Sequence, residues 1–417
     1  MNKENWLKVD NVSKIFLATY NERDTRSLRV SCTLNEDIDP YLLGNALRKT
    51  ISARNIFQVR IRRGVFWHYI EHTDDIPEVS EEHGRPCPLL YGKNFKGGLH
   101  YKVTYYYDKI NLDIFHALTD GTGALEFLNM LVINYLKLKY PEKFSETFIG
   151  SGVSAGELES DSFSQYYEKG AKINLSAKKA YHIRGLKLPY DQLQFFNVKM
   201  PVKQLTDQAK MIGVSLTSYV TARLMMSIYR DMPVLKRGLP ITVSIPVNLR
   251  NYYSSETSRN FFNSVYLYHV FSGDEKTDEL AFLLDKQLRS NISPENIRLQ
   301  MNHYQRLEHI PLLRIVPLVL KQPVIRFFTK KEAKNVSAVI SNLGIMKMPE
   351  EMQEYIKDYA IYCSHNELYI SMCTYNGTLT FGITTGCRNT EVLRNFITGF
   401  SKDGIEVEVN ATEVIRS

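Results

Sequence analysis

Cysteine is scarce and scattered in this 417-residue chain: Cys32, Cys87, Cys363, Cys373 and Cys387 are odd in number and show no CxxC spacing. That pattern argues against a disulfide framework and against a structural zinc site, and it fits a reducing cytoplasm. No run approaches the roughly 18 uncharged apolar residues that a bilayer span needs. The opening MNKENWLKVDNVSKIFLATY has no apolar signal core. The expectation is a protein neither exported nor threaded through a membrane. Repeats with a period of about 20 to 50 residues are also missing, which excludes solenoids and propellers.

What is present reads as an ordinary folded protein. Hydrophobic residues at 44% and charged residues at 23% leave no role for disorder or a fibrous repeat. The formal charge of +7 suits an anionic partner, but the basic residues are spread along the chain. That favours a phosphorylated co-substrate or a membrane surface over nucleic acid. The aromatic content, 12%, lies mostly in alternating runs, as strand surface and pocket lining would. A length of 417 residues predicts two or three domains.

Asp39-Pro40 supplies an N-cap and a first-turn proline, and Leu42, Leu43, Ala46, Leu47 and Ile51 follow at helical spacing. FQVRIRRGVFWHYIEH alternates on both sides of Arg63-Gly64, which predicts a hairpin. A second hairpin pairs Leu99, Tyr101, Val103 and Tyr105 with Ile110, Leu112 and Ile114 across a turn at Asp108-Lys109. His116 continues the parity of that return strand, and an amphipathic helix follows it through Leu125, Leu128, Leu131, Val132, Tyr135 and Leu136. Residues of about 144 to 190 are Ser-, Gly-, Glu- and Lys-rich and read as a linker or crossover. Beyond it a second series begins: strand LQFFNVKM, a helix ending near Gly213, a helix over about 215–229 and strand LPITVSIPVNL. Asn376-Gly377 marks a late hairpin, and a last helix spans about 390–402. The reading is two mixed αβ halves.

FHALTDGTG sets His116 and Asp120 four apart, yet Gly121 and Gly123 interrupt any helix there, so the pair need not share a face. A histidine at a core-facing strand end is held rigidly and partly dehydrated, which suits a general base near neutral pH. Its bland counterpart is a satisfied core histidine followed by an aspartate that caps a helix. His68, Glu71 and His72 of HYIEH offer metal-ligand types, but not HExxH and not on a helix, so no metal is expected.

HALTDG resembles the HxxxDG motif of the chloramphenicol acetyltransferase-like superfamily, which includes condensation domains, BAHD acyltransferases and alcohol acetyltransferases. SIPVNLR with Arg250, the following NFFNS, VISNLG around Asn342 and YNGTLTFGITTG are similar to later family elements in family order. The similarity is closest to bacterial alcohol acetyltransferase-like members. It implies an α/β fold of two similar subdomains, each a mixed sheet flanked by helices, with a channel between them. Residues 1–185 would be the N-terminal subdomain carrying HxxxDG, including a linker at about 144–185, and 186–417 the C-terminal one.

The same resemblance implies a CoA-dependent O-acyltransferase. His116 would act as general base at the channel midpoint, and no covalently bound cofactor is implied. Asp120 and Arg250 would form a bidentate pair, and Gly121 would leave room for a pantetheine arm. Thr119 and Ser341 are candidate oxyanion donors, with Asn342 a channel residue. The partners implied are acyl-CoA, ahead of an acyl carrier protein, and a hydroxyl-bearing small molecule or lipid, for a monomer. Phe115 stands where condensation domains carry a further histidine, and Leu343-Gly344 replaces part of DFGWG, so ester formation is favoured over condensation-like N-acylation. A catalytically silent relative that binds a lipid or partner in the channel is the alternative.

One segment fits neither half cleanly. IPLLRIVPLVLKQPVIRFFTKK mixes apolar residues with Arg314, Lys321, Arg326, Lys330 and Lys331, a composition suited to peripheral contact with an anionic membrane. Pro311, Pro317 and Pro323 predict that it is not one continuous helix, and ordinary packing and channel lining is the favoured reading.

Overall fold

Asp39 accepts hydrogen bonds from the amides of Tyr41 and Leu42, Pro40 opens the first turn, and the helix Pro40–Ala53 buries Leu43, Ala46, Leu47 and Ile51 on one face. The local sequence thus dictates both the start of this helix and the side it presents to the core. The computed structural model describes residues 6–92, 95, 98–144, 155–168, 179–189, 193–306, 315–365 and 367–411. Much of the expected linker, together with Pro311 and Arg314, lies outside the described residues.

Among the described residues three sheets carry the architecture. The first has five strands in the order Ile356–Cys363, Ser27–Leu34, Lys109–Phe115, Tyr101–Tyr106, Val79–Glu81. Helices Pro40–Ala53 and Gly121–Lys139 pack on each other over it. The second has seven strands in the order Phe262–His269, Ile241–Asn248, Ala338–Ile345, Leu368–Tyr375, Thr378–Thr385, Gln194–Pro201, Glu408–Ala411. Helices Val202–Met211, Leu216–Asp231, Thr277–Asn291 and Glu391–Lys402 bury their apolar faces in the same core. The third is the small antiparallel sheet Trp6–Lys8, His68–His72, Val59–Arg63. The fold is α/β, with mixed sheets flanked by helices.

Among the described residues two large hydrophobic cores follow from this layout, one around Val30, Leu112 and Leu128, the other around Val243, Ile340 and Phe381, with a small cluster of Cys87, Phe195, Ala360 and Tyr362 besides. One segment crosses the sequence division at 185/186. Strand Ile356–Cys363 pairs antiparallel with Ser27–Leu34, and Met346, Met348 and Met352 enter the first core with it. A strand from late in the chain therefore completes the early sheet.

The turns largely match their sequence signals. Asn376 and Gly377, at φ 41° and 76°, join Leu368–Tyr375 to Thr378–Thr385 in a two-residue turn with both φ values positive. The earlier hairpin turns on Tyr107 and Asp108, one residue before the position expected, with Tyr107 at φ 47°. As expected, the segment 310–331 is not one continuous helix, because helix Leu318–Ala333 begins only after Pro317, but Pro323 sits inside that helix without breaking it. Pro323 cannot donate to the Val319 carbonyl and its ring crowds that group, and Val319 is exposed enough for water to take the lost bond. Pro317 stands before the first turn. All five cysteines are free and buried. Among the described residues no single helix is long and apolar enough to cross a membrane.

Candidate active site

Strand Lys109–Phe115 is buried on both faces, so its end is fixed firmly. Ile110, Leu112 and Ile114 enter the core on one side, while Asp113 is held by Arg29 on the other. Phe115 ends the strand. His116 extends the pairing by one bond, its amide donating to the Arg26 carbonyl at 2.8 Å. The chain then turns through Leu118, whose amide reaches the Phe115 carbonyl at 2.9 Å, and enters helix Gly121–Lys139. The backbone on both sides of His116 is pinned by hydrogen bonds.

The imidazole packs against Phe16, with ring centroids 4.4 Å apart, and against Phe262 at 5.7 Å. Its Nδ1 lies 3.2 Å from Oδ1 of Asn260. Asn260 donates from Nδ2 to the His116 carbonyl at 2.8 Å and to Ser13 Oγ at 3.2 Å. A carbonyl oxygen only accepts, so this pair of contacts fixes the amide orientation and makes Oδ1 the acceptor facing the ring. Nδ1 therefore carries the hydrogen, and Nε2 keeps the lone pair. Burial pushes the pKa of His116 below its ordinary value, opposed by the negative charge of Asp120 and by the hydrogen bonds to the ring. Neutral imidazole, the basic form, is favoured.

Asp120 combines two roles. Its Oδ1 accepts the Gly123 amide at 3.1 Å and so caps the helix, while Oδ2 accepts Arg250 Nη1 at 2.7 Å and the Phe261 amide at 2.9 Å. The expected bidentate pair does not form. Arg250 gives Asp120 one nitrogen and directs Nε and Nη2 to the Thr257 carbonyl at 3.1 and 2.8 Å, with Nη2 also 2.7 Å from the Arg259 carbonyl. A planar fork with five donors can satisfy a carboxylate and two carbonyls at once. Arg250 thus ties the helix start to residues 257–261, the segment that delivers Asn260 to His116.

A cavity of about 580 Å³ opens beside these groups, within the range usual for ligand pockets. His116, Asp120, Gly121, Ser341 and Asn342 line it, together with Arg26, Tyr369 and His365. It draws on strands of both large sheets. Thr119 is not among its lining residues. That side chain is buried, and its hydroxyl donates to the Ser258 carbonyl at 2.5 Å, so it is not free to meet an oxyanion in the cavity. Phe115 is likewise core, stacked on Tyr91 at 5.1 Å.

Asn342 shapes the opposite wall. Its Oδ1 accepts the Gly344 amide at 3.0 Å and its Nδ2 donates to Thr217 Oγ1 at 3.0 Å. The pairing of strand Ala338–Ile345 with Leu368–Tyr375 shifts between Asn342 and Ile345, and Gly344 takes φ 77° there. This bulge carries Leu343 across to the first core. The room left by Gly121 is filled by it: a Cβ on that glycine would stand 2.5 Å from Leu343 Cδ2. Gly121 and Leu343 thus lie against each other in the wall of the cavity, which both residues line. Asn260 and Arg26 are functional candidates that sequence reasoning missed; NFFNS flagged the neighbourhood of Asn260 without giving it a role.

The layout is two large mixed sheets flanked by helices, with a strand-end histidine at a cavity that draws on both. No family model matches the chain, and no curated protein matches it in sequence. Solved structures do match in fold. TRI101 of F. sporotrichioides, complexed with coenzyme A and T-2, superposes with a TM-score of 0.65 at 11% identity over 96% of this chain and 99% of that one. TRI3 trichothecene 15-O-acetyltransferase from Fusarium sporotrichioides gives 0.61 at 10% identity over 94% and 95%. The starter condensation domain of rhizomide synthetase, in complex with C8-CoA, gives 0.60 at 12% identity over 94% and 93%.

Proposed function

We propose that the protein is a CoA-dependent acyltransferase that esterifies a hydroxyl-bearing acceptor, with His116 as general base. The observation that carries this reading is the 3.2 Å contact of His116 Nδ1 with the Asn260 Oδ1 acceptor at the wall of the cavity. Asn260 holds the hydrogen on Nδ1, and burial keeps the ring neutral, so Nε2 is a prepared proton acceptor beside a ligand-sized cavity. The fold neighbours support it: one is named an O-acetyltransferase, and others are complexed with coenzyme A or C8-CoA.

In this reading Nε2 takes the acceptor proton as the acceptor oxygen attacks the thioester carbonyl. The tetrahedral intermediate then breaks its carbon–sulfur bond, and the imidazolium returns the proton to the departing thiolate. The products are an ester and free CoA, with no acyl-enzyme. Ser341, lining the cavity, is the hydroxyl available to the oxyanion from the candidates named. Asp120 and Arg250 act at a distance, by holding the segment that positions Asn260.

The test is thiol release from an acyl-CoA chain-length series against a panel of alcohols. Turnover should fall by about 10²- to 10⁴-fold in His116→Ala, the usual contribution of a general base. Turnover equal in wild type and His116→Ala would overturn the proposal. Retention of a ligand in the cavity with no turnover across the panel would establish the silent-relative reading instead.

A further inference from the structure

Helix Leu318–Ala333 is an anomaly of packing, because only its first residue, Leu318, is buried. Leu320, Val324, Phe327 and Phe328 recur at i, i+4, i+7 and i+8 and so share one face. That face is turned outward, with exposures of 63%, 54%, 64% and 57%. An amphipathic helix normally buries this stripe against the core, and here the core is elsewhere.

The loop between strands Val59–Arg63 and His68–His72 is tied to the start of this helix and carries exposed apolar side chains of its own. Its Val65 carbonyl accepts the Leu318 amide at 2.8 Å, and the Phe66 carbonyl accepts Lys321 Nζ at 2.9 Å. Phe66 and Trp67 project beside the helix, 39% and 47% exposed. A contiguous exposed patch rich in aromatic side chains marks an interaction site, and single exposed apolar residues do not.

Charge identifies the occupant. From Leu318 to Lys334 the chain carries Lys321, Arg326, Lys330, Lys331 and Lys334 against one acid, Glu332. Among the described residues no ion pair engages Lys330 or Lys331. A second copy of this chain would bring the same cations against one another, which disfavours a symmetric dimer through this face. Aromatic anchors flanked by lysines suit the interface of an anionic bilayer, where rings enter the headgroup boundary and ammonium groups meet lipid phosphates.

We propose that helix Leu318–Ala333 and the 64–67 loop form a docking face for an anionic lipid surface. The same helix contributes Thr329 and Ala333 to the wall of the His116 cavity. These two residues stand on the helix face opposite the apolar stripe, so docking leaves the cavity wall clear of the lipid. The binding claim stands independently of acyl transfer.

Both tryptophans of the chain report on this surface: Trp67 lies in the loop, and Trp6 packs edge-on against Tyr69 in the adjoining sheet. Vesicles of phosphatidylcholine mixed with phosphatidylglycerol should sediment the full-length protein at low salt and shift its tryptophan emission to the blue. Pure phosphatidylcholine should do neither. Trp67→Phe should remove most of the emission shift. Lys330→Gln with Lys331→Gln should weaken partitioning about thirtyfold, at the usual gain per basic residue near an anionic surface. Phe327→Gln with Phe328→Gln should weaken it as well, and unchanged thermal midpoints show that these exposed variants fold. Absence of binding to anionic vesicles at low salt, or binding that both double variants retain in full, overturns the proposal. So does a dimer in solution that both variants abolish without any vesicle binding.

Discussion

Asp120 Oδ2 and Arg250 Nη1 meet at 2.7 Å, and the remaining guanidinium nitrogens are spent on the carbonyls of Thr257 and Arg259. Both side chains are nearly buried, 6% and 12% exposed. Loss of one partner leaves charge and carbonyls unsatisfied away from water. Arg250→Ala should therefore destabilise the fold by about 3 to 5 kcal/mol, the usual cost of stripping a buried ion pair. Asp120→Asn should cost less, since the amide oxygen can still cap the helix. Denaturant titration of the single and double variants should give a coupling of about 1 to 3 kcal/mol, and strict additivity would show that the pair contributes nothing.

Asn260 should act on chemistry more than on stability. It fixes which nitrogen of His116 bears hydrogen, so Asn260→Asp keeps an acceptor in place and adds a negative charge beside the ring. That charge favours the imidazolium and raises its pKa. The acid limb of the kcat/KM profile, set by protonation of the free base, should move to higher pH. Asn260→Ala should lower kcat without moving that limb upward. An unshifted profile in Asn260→Asp would mean that His116 is not the titrating base.

How much of this was legible in the sequence depended on how far each signal had to reach. Asp39-Pro40, Asn376-Gly377 and the spacing of Leu125 to Leu136 act within a few residues, and their elements formed where the local physics placed them. Strand Ile356–Cys363 was different. No sequence signal singled it out, because its pairing with Ser27–Leu34 spans more than 300 residues and is decided by packing. Asn260 reads as a loop residue until the fold brings it to a histidine 144 positions earlier. Thr119 failed as an oxyanion candidate for the same reason, because its partner Ser258 is 139 positions away.

Acid should unfold the protein through histidines that are buried neutral. His100 accepts the Ile61 amide on one ring nitrogen at 2.8 Å and contacts the Leu90 carbonyl with the other at 2.9 Å, so a second proton would cost it the Ile61 bond. Burial pushes its pKa down to about 4. The unfolded chain then binds the proton first as pH falls below about 6.5. Stability from this group is full above that value and is lost toward about 4. The loss amounts to roughly 3 kcal/mol for a displacement of that size. His68, also pushed down to about 4 by burial and by the charge of Arg63, adds in the same direction. Urea midpoints should fall steeply between pH 7 and pH 5, and the slope should flatten in His100→Gln.

The two glycines of the motif should behave oppositely, because their neighbours differ in stiffness. A Cβ on Gly123 would stand 2.2 Å from Thr119 Oγ1 and 2.5 Å from the Ser258 carbonyl oxygen, and that oxygen is backbone. Ser258 is itself anchored by its amide to the Leu158 carbonyl and by its hydroxyl to Arg54. Gly123→Ala should cost about 1 to 3 kcal/mol, as overpacking does where backbone must move. At Gly121 the obstacle is the tip of Leu343, a side chain that can rotate away. Gly121→Ala should leave the denaturation midpoint nearly unchanged while perturbing the cavity wall. Any loss it causes should be relieved by Leu343→Ala, whereas Gly123→Ala should gain nothing from that second change. Rescue of both variants by Leu343→Ala would show that the Ser258 backbone yields as readily as a side chain.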